Sequence, residues 1–229
     1  MRTLVDSGAV KREIDTSGKI RWQVTGSVAS IQIPENLQSL LTARIDCLEE
    51  EARRTLQLAS VIGRSFYYRV LERVNQAVVA VQAELDSQIR VLQQAEMILE
   101  SGRIPETEYA FKHVLTQEAA YNTFLLRLRR EFHHRVGEAI EVLFPDRLEE
   151  FYPLLARHFG EANDPRAVQY GGLAGDSAFR LYAIPEATSH YLRAIEFARR
   201  EHLTSNNLTH LYLRLGRCYE LQSLHHDAV

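Results

Sequence analysis

Apolar residues recur at spacings of three and four along most of this chain, a period that restricts it to packed amphipathic helices. Leu125, Leu128, Phe132, Val136, Ala139 and Leu143 step by 3, 4, 4, 3 and 4 positions. That spacing predicts one long helix with a single buried stripe, closed by Pro145. Val78, Val81, Leu85, Ile89 and Leu92 predict a second long helix, with gaps of 3, 4, 4 and 3. Leu37, Leu41, Ile45 and Leu48 predict a third, with Pro34 suited to its first turn. The acidic run 49–51 suits a helix N-terminus, and Ala52, Leu56 and Ala59 carry the pattern on until Gly63 stops it. A short helix is expected over residues 67–74. After Asp164-Pro165 the chain reads as helical to its last residue, with Pro185 starting a new helix at a corner.

Two stretches break this period. Residues 9–14 and 19–24 carry β-branched residues and Trp22 on either side of the turn cluster Asp15-Thr16-Ser17-Gly18, which predicts a β-hairpin. Met97-Ile98-Leu99-Glu100, Ser101-Gly102 and Glu108-Tyr109-Ala110-Phe111-Lys112 predict strand, turn and strand. Several helices followed by such a hairpin is the plan of a winged helix. A weak repeat also appears near the end. Ala174-Gly175, Ala178 and Ala187 match Leu215-Gly216, Tyr219 and Ala228 at an offset of 41. Small residues there would let paired helices approach closely, as in tetratricopeptide-like pairs, whose usual period is about 34. The expected fold class is therefore mainly α: a winged-helix domain with short β-hairpins, then TPR-like helix pairs. Two copies fall short of the roughly three that a solenoid needs, so a fragment of a longer protein is expected.

Composition excludes several classes. In 229 residues, 27 Lys and Arg stand against 30 Asp and Glu, a net charge of −3. No global basic coat for nucleic acid exists. The longest apolar run, 77–81, is far short of the roughly 20 residues of a membrane span. The two cysteines, Cys47 and Cys218, lie outside any CxxC or CxxH pattern and are expected as free thiols packed as small hydrophobes. Scarce cysteine and the absence of an apolar leader core suit the cytoplasm.

No catalytic motif emerges. The nearest approach to a phosphate loop is Gly18-Lys19, but Glu13 stands where the first glycine belongs and Ile20 where Ser or Thr belongs. GxGxxG, GxSxG and HExxH are absent. His133-His134 and His225-His226 are adjacent pairs, whose rings diverge by about 100° on a helix and cannot grip one metal from one face. Glu131, His134 and Glu138 share a face and are read as solvated charge pairing. No metal site, no cofactor and no enzyme activity are expected of these residues. The basic stretch 125–137 places Arg127, Arg130 and His134 on one face, a candidate docking surface for a protein partner.

Several sequence blocks resemble one family. They are Ile33-Pro34-Glu35-Asn36-Leu37, Ala43-Arg44-Ile45-Asp46-Cys47-Leu48 and Ala59-Ser60-Val61-Ile62-Gly63-Arg64-Ser65-Phe66. Tyr109-Ala110-Phe111-Lys112-His113-Val114-Leu115, Gln117-Glu118-Ala119-Ala120-Tyr121, Arg129-Arg130, His133 and Leu155-Ala156-Arg157-His158-Phe159 follow in order, and residues 167–198 fit a first helical repeat. Together they resemble the post-ATPase segment of bacterial STAND-type signalling ATPases, specifically those fused to class III adenylate/guanylate cyclase domains. The resemblance implies four parts: a hairpin linker from the end of the ATPase module (1–33), a winged helix (34–112), a helical connector (113–165) and the start of a repeat array (166–229). It places the P-loop, its ATP or ADP and any cyclase upstream. The implied partners are that ATPase in the same chain and a protein read by the repeats, with no membrane.

The resemblance also implies one sensor. In related switch ATPases a His just after the wing contacts the phosphates of bound nucleotide. His113 occupies that place, although Val114 stands where those relatives carry Asp. The implied function is a regulatory, protein-interaction segment that transmits nucleotide or partner state. The competing reading is a DNA-binding winged-helix regulator. Against it, residues 76–96 carry one cation, Arg90, and three acids, Glu84, Asp86 and Glu96, whereas a major-groove helix needs cations.

Overall fold

The computed structural model describes residues 10–14, 20–24, 35–76, 82–203 and 206–226. The chain divides into two compact units, 1–43 and 44–229. In the first, β1 (Val10–Ile14) pairs antiparallel with β2 (Ile20–Val24), Val10 opposite Val24 and Ile14 opposite Ile20. That is the expected hairpin; its turn cluster falls outside the described residues. Helix α1 (Glu35–Asp46) then carries the chain into the second unit.

The second unit is mainly helical with a small three-stranded antiparallel sheet. Its elements are α2 (Glu50–Ile62), β3 (Ser65–Tyr67), α3 (Tyr68–Gln76), α4 (Gln82–Gln94), β4 (Ile98–Gly102), β5 (Glu108–Phe111) and α5 (Val114–Asn122). There follow α6 (Leu126–Leu143), a 3-10 segment (Pro145–Phe151), α7 (Tyr152–Glu161), α8 (Arg166–Arg180), α9 (Ile184–Arg200) and α10 (Asn206–His226). The apolar run from Leu37 to Ile62 is two helices, because residues 47–49 interrupt it. Val78 and Val81 of the expected second long helix lie outside the described residues. No helix among the described residues is long and apolar enough to cross a membrane.

The sheet order is β3-β5-β4. Strand β3 falls where a loop and helix start were expected: Phe66 pairs with Tyr109, and its ring is 6.0 Å from the Tyr109 ring and 6.1 Å from that of Phe111. Phe66, Tyr109 and Phe111 are buried, and Leu56, Ile62, Val70, Leu71, Leu85, Ile89 and Leu92 from the surrounding helices are buried with them. Aromatic alternation along β5 and the helical stripes therefore supply one apolar core. Of the two free thiols, Cys218 is buried as expected, whereas Cys47 is exposed at the break after α1.

Four helices end in the same way. Glu96, Asn163, Tyr182 and His202 adopt left-handed backbone with φ between 52° and 58°. The next residue's N–H reaches back to the final turn: Met97 to the Leu92 carbonyl, Asp164 to Phe159, Ala183 to Ala178 and Leu203 to Ala198, at 2.8–3.0 Å. This is the Schellman arrangement, built here without glycine. Tyr182 is 85% exposed, so its side chain contributes little to offset the strain. Tyr182→Gly is therefore expected to stabilise the fold by about 1 kcal/mol, raising Tm by about 2–4 °C in a thermal melt. An unchanged or lower Tm would show that the turn carries no such strain.

Small residues in the last three helices do not act alike. A Cβ on Gly175 would lie 2.4 Å from the ring of Tyr191, so α8 and α9 pack only because that position is bare. Gly216, its repeat counterpart, has nothing within 4 Å. The close-approach reason for a small residue thus holds at Gly175 and not at Gly216.

Candidate functional site

Helices α6 to α9 border an open cleft of about 980 Å³, with Tyr121 of α5 at its base. Its lining holds five arginines, Arg129, Arg130, Arg157, Arg193 and Arg200, against three glutamates, Glu161, Glu196 and Glu201. The arginines come from α6, α7 and α9. Arg200 is paired with Glu201 at 3.0 Å. Arg129 donates to the backbone carbonyls of Phe124 (3.0 Å) and Asn122 (3.1 Å), and its guanidinium lies 4.5 Å over the Tyr121 ring. Arg130 and Arg193 make no ion pair among the described residues and are exposed.

A chain of polar groups runs from the cleft wall, at Tyr121, His133 and Arg157, to the buried His158. The Nδ1 atoms of His133 and His158 are 2.8 Å apart. The Tyr121 hydroxyl is 3.0 Å from His133 Nε2, and Arg157 Nη2 is 3.3 Å from His158 Nε2. The same Arg157 nitrogen donates to the Ile62 carbonyl at 2.7 Å. Each ring nitrogen has a partner within hydrogen-bond distance, and with both rings neutral one can donate to the other across the Nδ1 pair. Burial, followed by the charges of Arg157 and Arg129, holds the His133 pKa at about 4. Burial, then Arg157, pushes His158 well below the ordinary histidine value. Arg157 stays partly open to the cleft, yet desolvation still lowers its pKa.

The residues expected to carry function fall in three places. His113 is the N-cap of α5, exposed, with no side-chain cap bond; its carbonyl accepts from the N–H of Thr116 (3.0 Å) and Gln117 (3.4 Å). It does not line the cleft. Arg127 is exposed outside the cleft, and Arg130 lines it. His134 is engaged elsewhere: its Nε2 lies 3.1 Å from both Asp164 Oδ2 and Arg166 Nη2, and its Nδ1 3.5 Å from Glu138. Glu131 pairs with Arg135 instead. The structure therefore brings Arg130 alone of the three docking candidates to the cleft.

Sequence reasoning missed Arg157, His158, Arg193 and Arg200, which only tertiary packing collects. It also placed the buried stripe of α6 too far toward the N-terminus: Leu125 is 70% exposed, while His133 is buried. The signal for His133 was its position one residue after Phe132, on the side that α7 covers. No protein-family model, curated protein or solved structure matches the chain at a significant level.

Proposed function

We propose that this chain is the regulatory and protein-interaction segment of a multidomain signal-transduction ATPase of the cyclase-associated kind. In this reading α1 to β5 belong to the winged-helix domain (34–112) and α8 to α10 open a TPR-like array (166–229). The ATPase and its ATP or ADP lie elsewhere in the parent protein, and His113 senses the nucleotide's phosphates. One observation supports transmission between the two ends. Helix α5 carries His113 at its N-cap and Tyr121 in its last turn, where Tyr121 lines the cleft and meets His133. The eight steps from His113 to Tyr121, at about 1.5 Å each, make this link about 12 Å long. A shift of α6 at the cleft is thus one helix away from the sensor position, and α7 reaches α6 through the His133–His158 contact. The tie from Arg157 to the Ile62 carbonyl couples α7 to the end of α2 as well.

The test uses the full-length parent protein. His113→Ala should loosen diphosphate binding by about tenfold or more, the loss of one charge-assisted hydrogen bond, and should raise basal signalling. Because the side chain is exposed, the same substitution should leave the stability of this chain unchanged. Equal diphosphate affinities would remove the sensor role. The DNA-binding alternative is tested by titrating the chain with duplex DNA. Salt-dependent, submicromolar binding would favour it; weak binding is expected, since Arg90 is the one cation in α4, whose Asp86 is bound by the Tyr68 hydroxyl at 2.6 Å.

A further inference from the structure

We propose that the cleft bordered by α6 to α9 holds an extended acidic peptide segment of a partner protein, gripped by Arg130 and Arg193 over a floor that contains Arg157. The inference rests on the interaction reading above and names the chemistry of the partner. Charge complementarity carries it. Arg130, Arg157 and Arg193 face one concavity from three helices, and none has a carboxylate within ion-pairing distance among the described residues. Some other arginines are neutralised within the fold: Arg166 holds Asp164 and Glu141, both at 2.8 Å, and Arg69 holds Glu106 at 2.8 Å. In the cleft, three cations without an ion pair meet in one concavity that a ligand can reach. Guanidinium forks match carboxylates in planar, paired hydrogen bonds.

The shape of the cleft favours a peptide. Ala156, Gly160, Ala167, Gly171 and Ala194 are part of its lining, so a main chain can lie low between the arginines. Leu126 at the lip is 74% exposed and offers an apolar contact beside the charges. A nucleic acid fits poorly. The Tyr and Phe rings of the lining each have a face occupied, Tyr121 by Arg129 at 4.5 Å and Phe197 by Arg200 at 5.1 Å, which disfavours stacking of a base on them. Glu161, Glu196 and Glu201 would oppose a continuous phosphate backbone but can sit between the spaced carboxylates of a peptide. The arginines are spread over three helices, a poor match for one compact phosphate group.

The probe is a displayed library of random peptides selected on the intact chain, with the doubly substituted Arg130→Glu, Arg193→Glu chain as counter-target. Both positions are exposed, so the variant should fold as the parent does, checked by circular dichroism and melting. The expected result is a selected pool rich in Asp and Glu that binds the variant at least about tenfold more weakly. Its affinity should fall between about 50 and about 300 mM salt. A pool without acidic enrichment, or one that binds the variant equally, overturns the proposal. Displacement of the pool by ATP or polyphosphate, at concentrations where glutamate has no effect, overturns it in favour of a phosphoryl ligand. The selection reads the cleft alone. If the acidic pool binds as expected but leaves nucleotide affinity in the parent ATPase unchanged, the transmission reading fails while the site stands.

Discussion

Lowering the pH from 7 to 5 is expected to remove about 2 kcal/mol of folding stability through His133 alone, well before carboxylates titrate. The sign follows from burial. His133 has an ordinary pKa of 6.5 when unfolded and about 4 when folded, so the unfolded chain binds more protons between those values. Its contribution is fully present above pH 6.5 and is lost progressively as pH falls towards 4. His158 shifts in the same direction, and the half-buried His190 follows it, pushed down by burial and then by Arg193. A total stability of about 5–15 kcal/mol makes such a loss large. Urea denaturation at pH 7 and pH 5 measures it. Replacing both rings by a group that hydrogen-bonds without titrating, His133→Gln with His158→Gln, should flatten the curve across this window, at some cost at pH 7. Equal wild-type stability at the two pH values would mean that the pair is not held neutral by burial.

Phe159 is the second position of large expected effect. It is fully buried on α7, its ring 5.6 Å from that of Tyr170 and 4.0 Å from the Arg166 guanidinium. Phe159→Ala should cost about 3–5 kcal/mol, through lost burial and the cavity left behind. On α6, Gly137 lies against the same ring: a Cβ there would sit 2.7 Å from Cε1 and Cζ. Gly137→Ala ought to gain up to about 1 kcal/mol in helix propensity. The clash reverses that sign, and a net loss of about 1–2 kcal/mol is expected. Combining it with Phe159→Leu should relieve the clash, so the two costs should fall short of their sum by at least about 1 kcal/mol in a double-mutant cycle. Strict additivity would show that Gly137 is small for some reason other than Phe159.

The local period of the chain determined most of its elements. Spacings of three and four marked α2, α4 and α6, prolines marked the starts of helices, and the turn cluster with its flanking β-branched residues marked β1 and β2. These features are legible because they depend on neighbours within one turn or one hairpin. Strand β3 was not, because three residues after Gly63 carry no period of their own and become a strand only when β5 offers its open edge. The left-handed helix ends at Glu96, Asn163, Tyr182 and His202 were hidden for a related reason: no glycine announces them, and the six-residue return bond is what holds them.

The candidate site divides along the same line. The sequence alone placed Arg130 on an exposed basic face and His113 directly after the β4–β5 hairpin. It could not show that Arg157 and Arg193, 36 positions apart, line one cleft, or that His133 would be buried against His158 rather than left in solvent with His134. Helical spacing reports which residues share a face of one helix. Which faces meet, and which charges are left without a partner when they do, is decided by the packing of α6, α7, α8 and α9 on one another. That packing depends on volumes such as the missing Cβ atoms of Gly137 and Gly175, which no period in the sequence records.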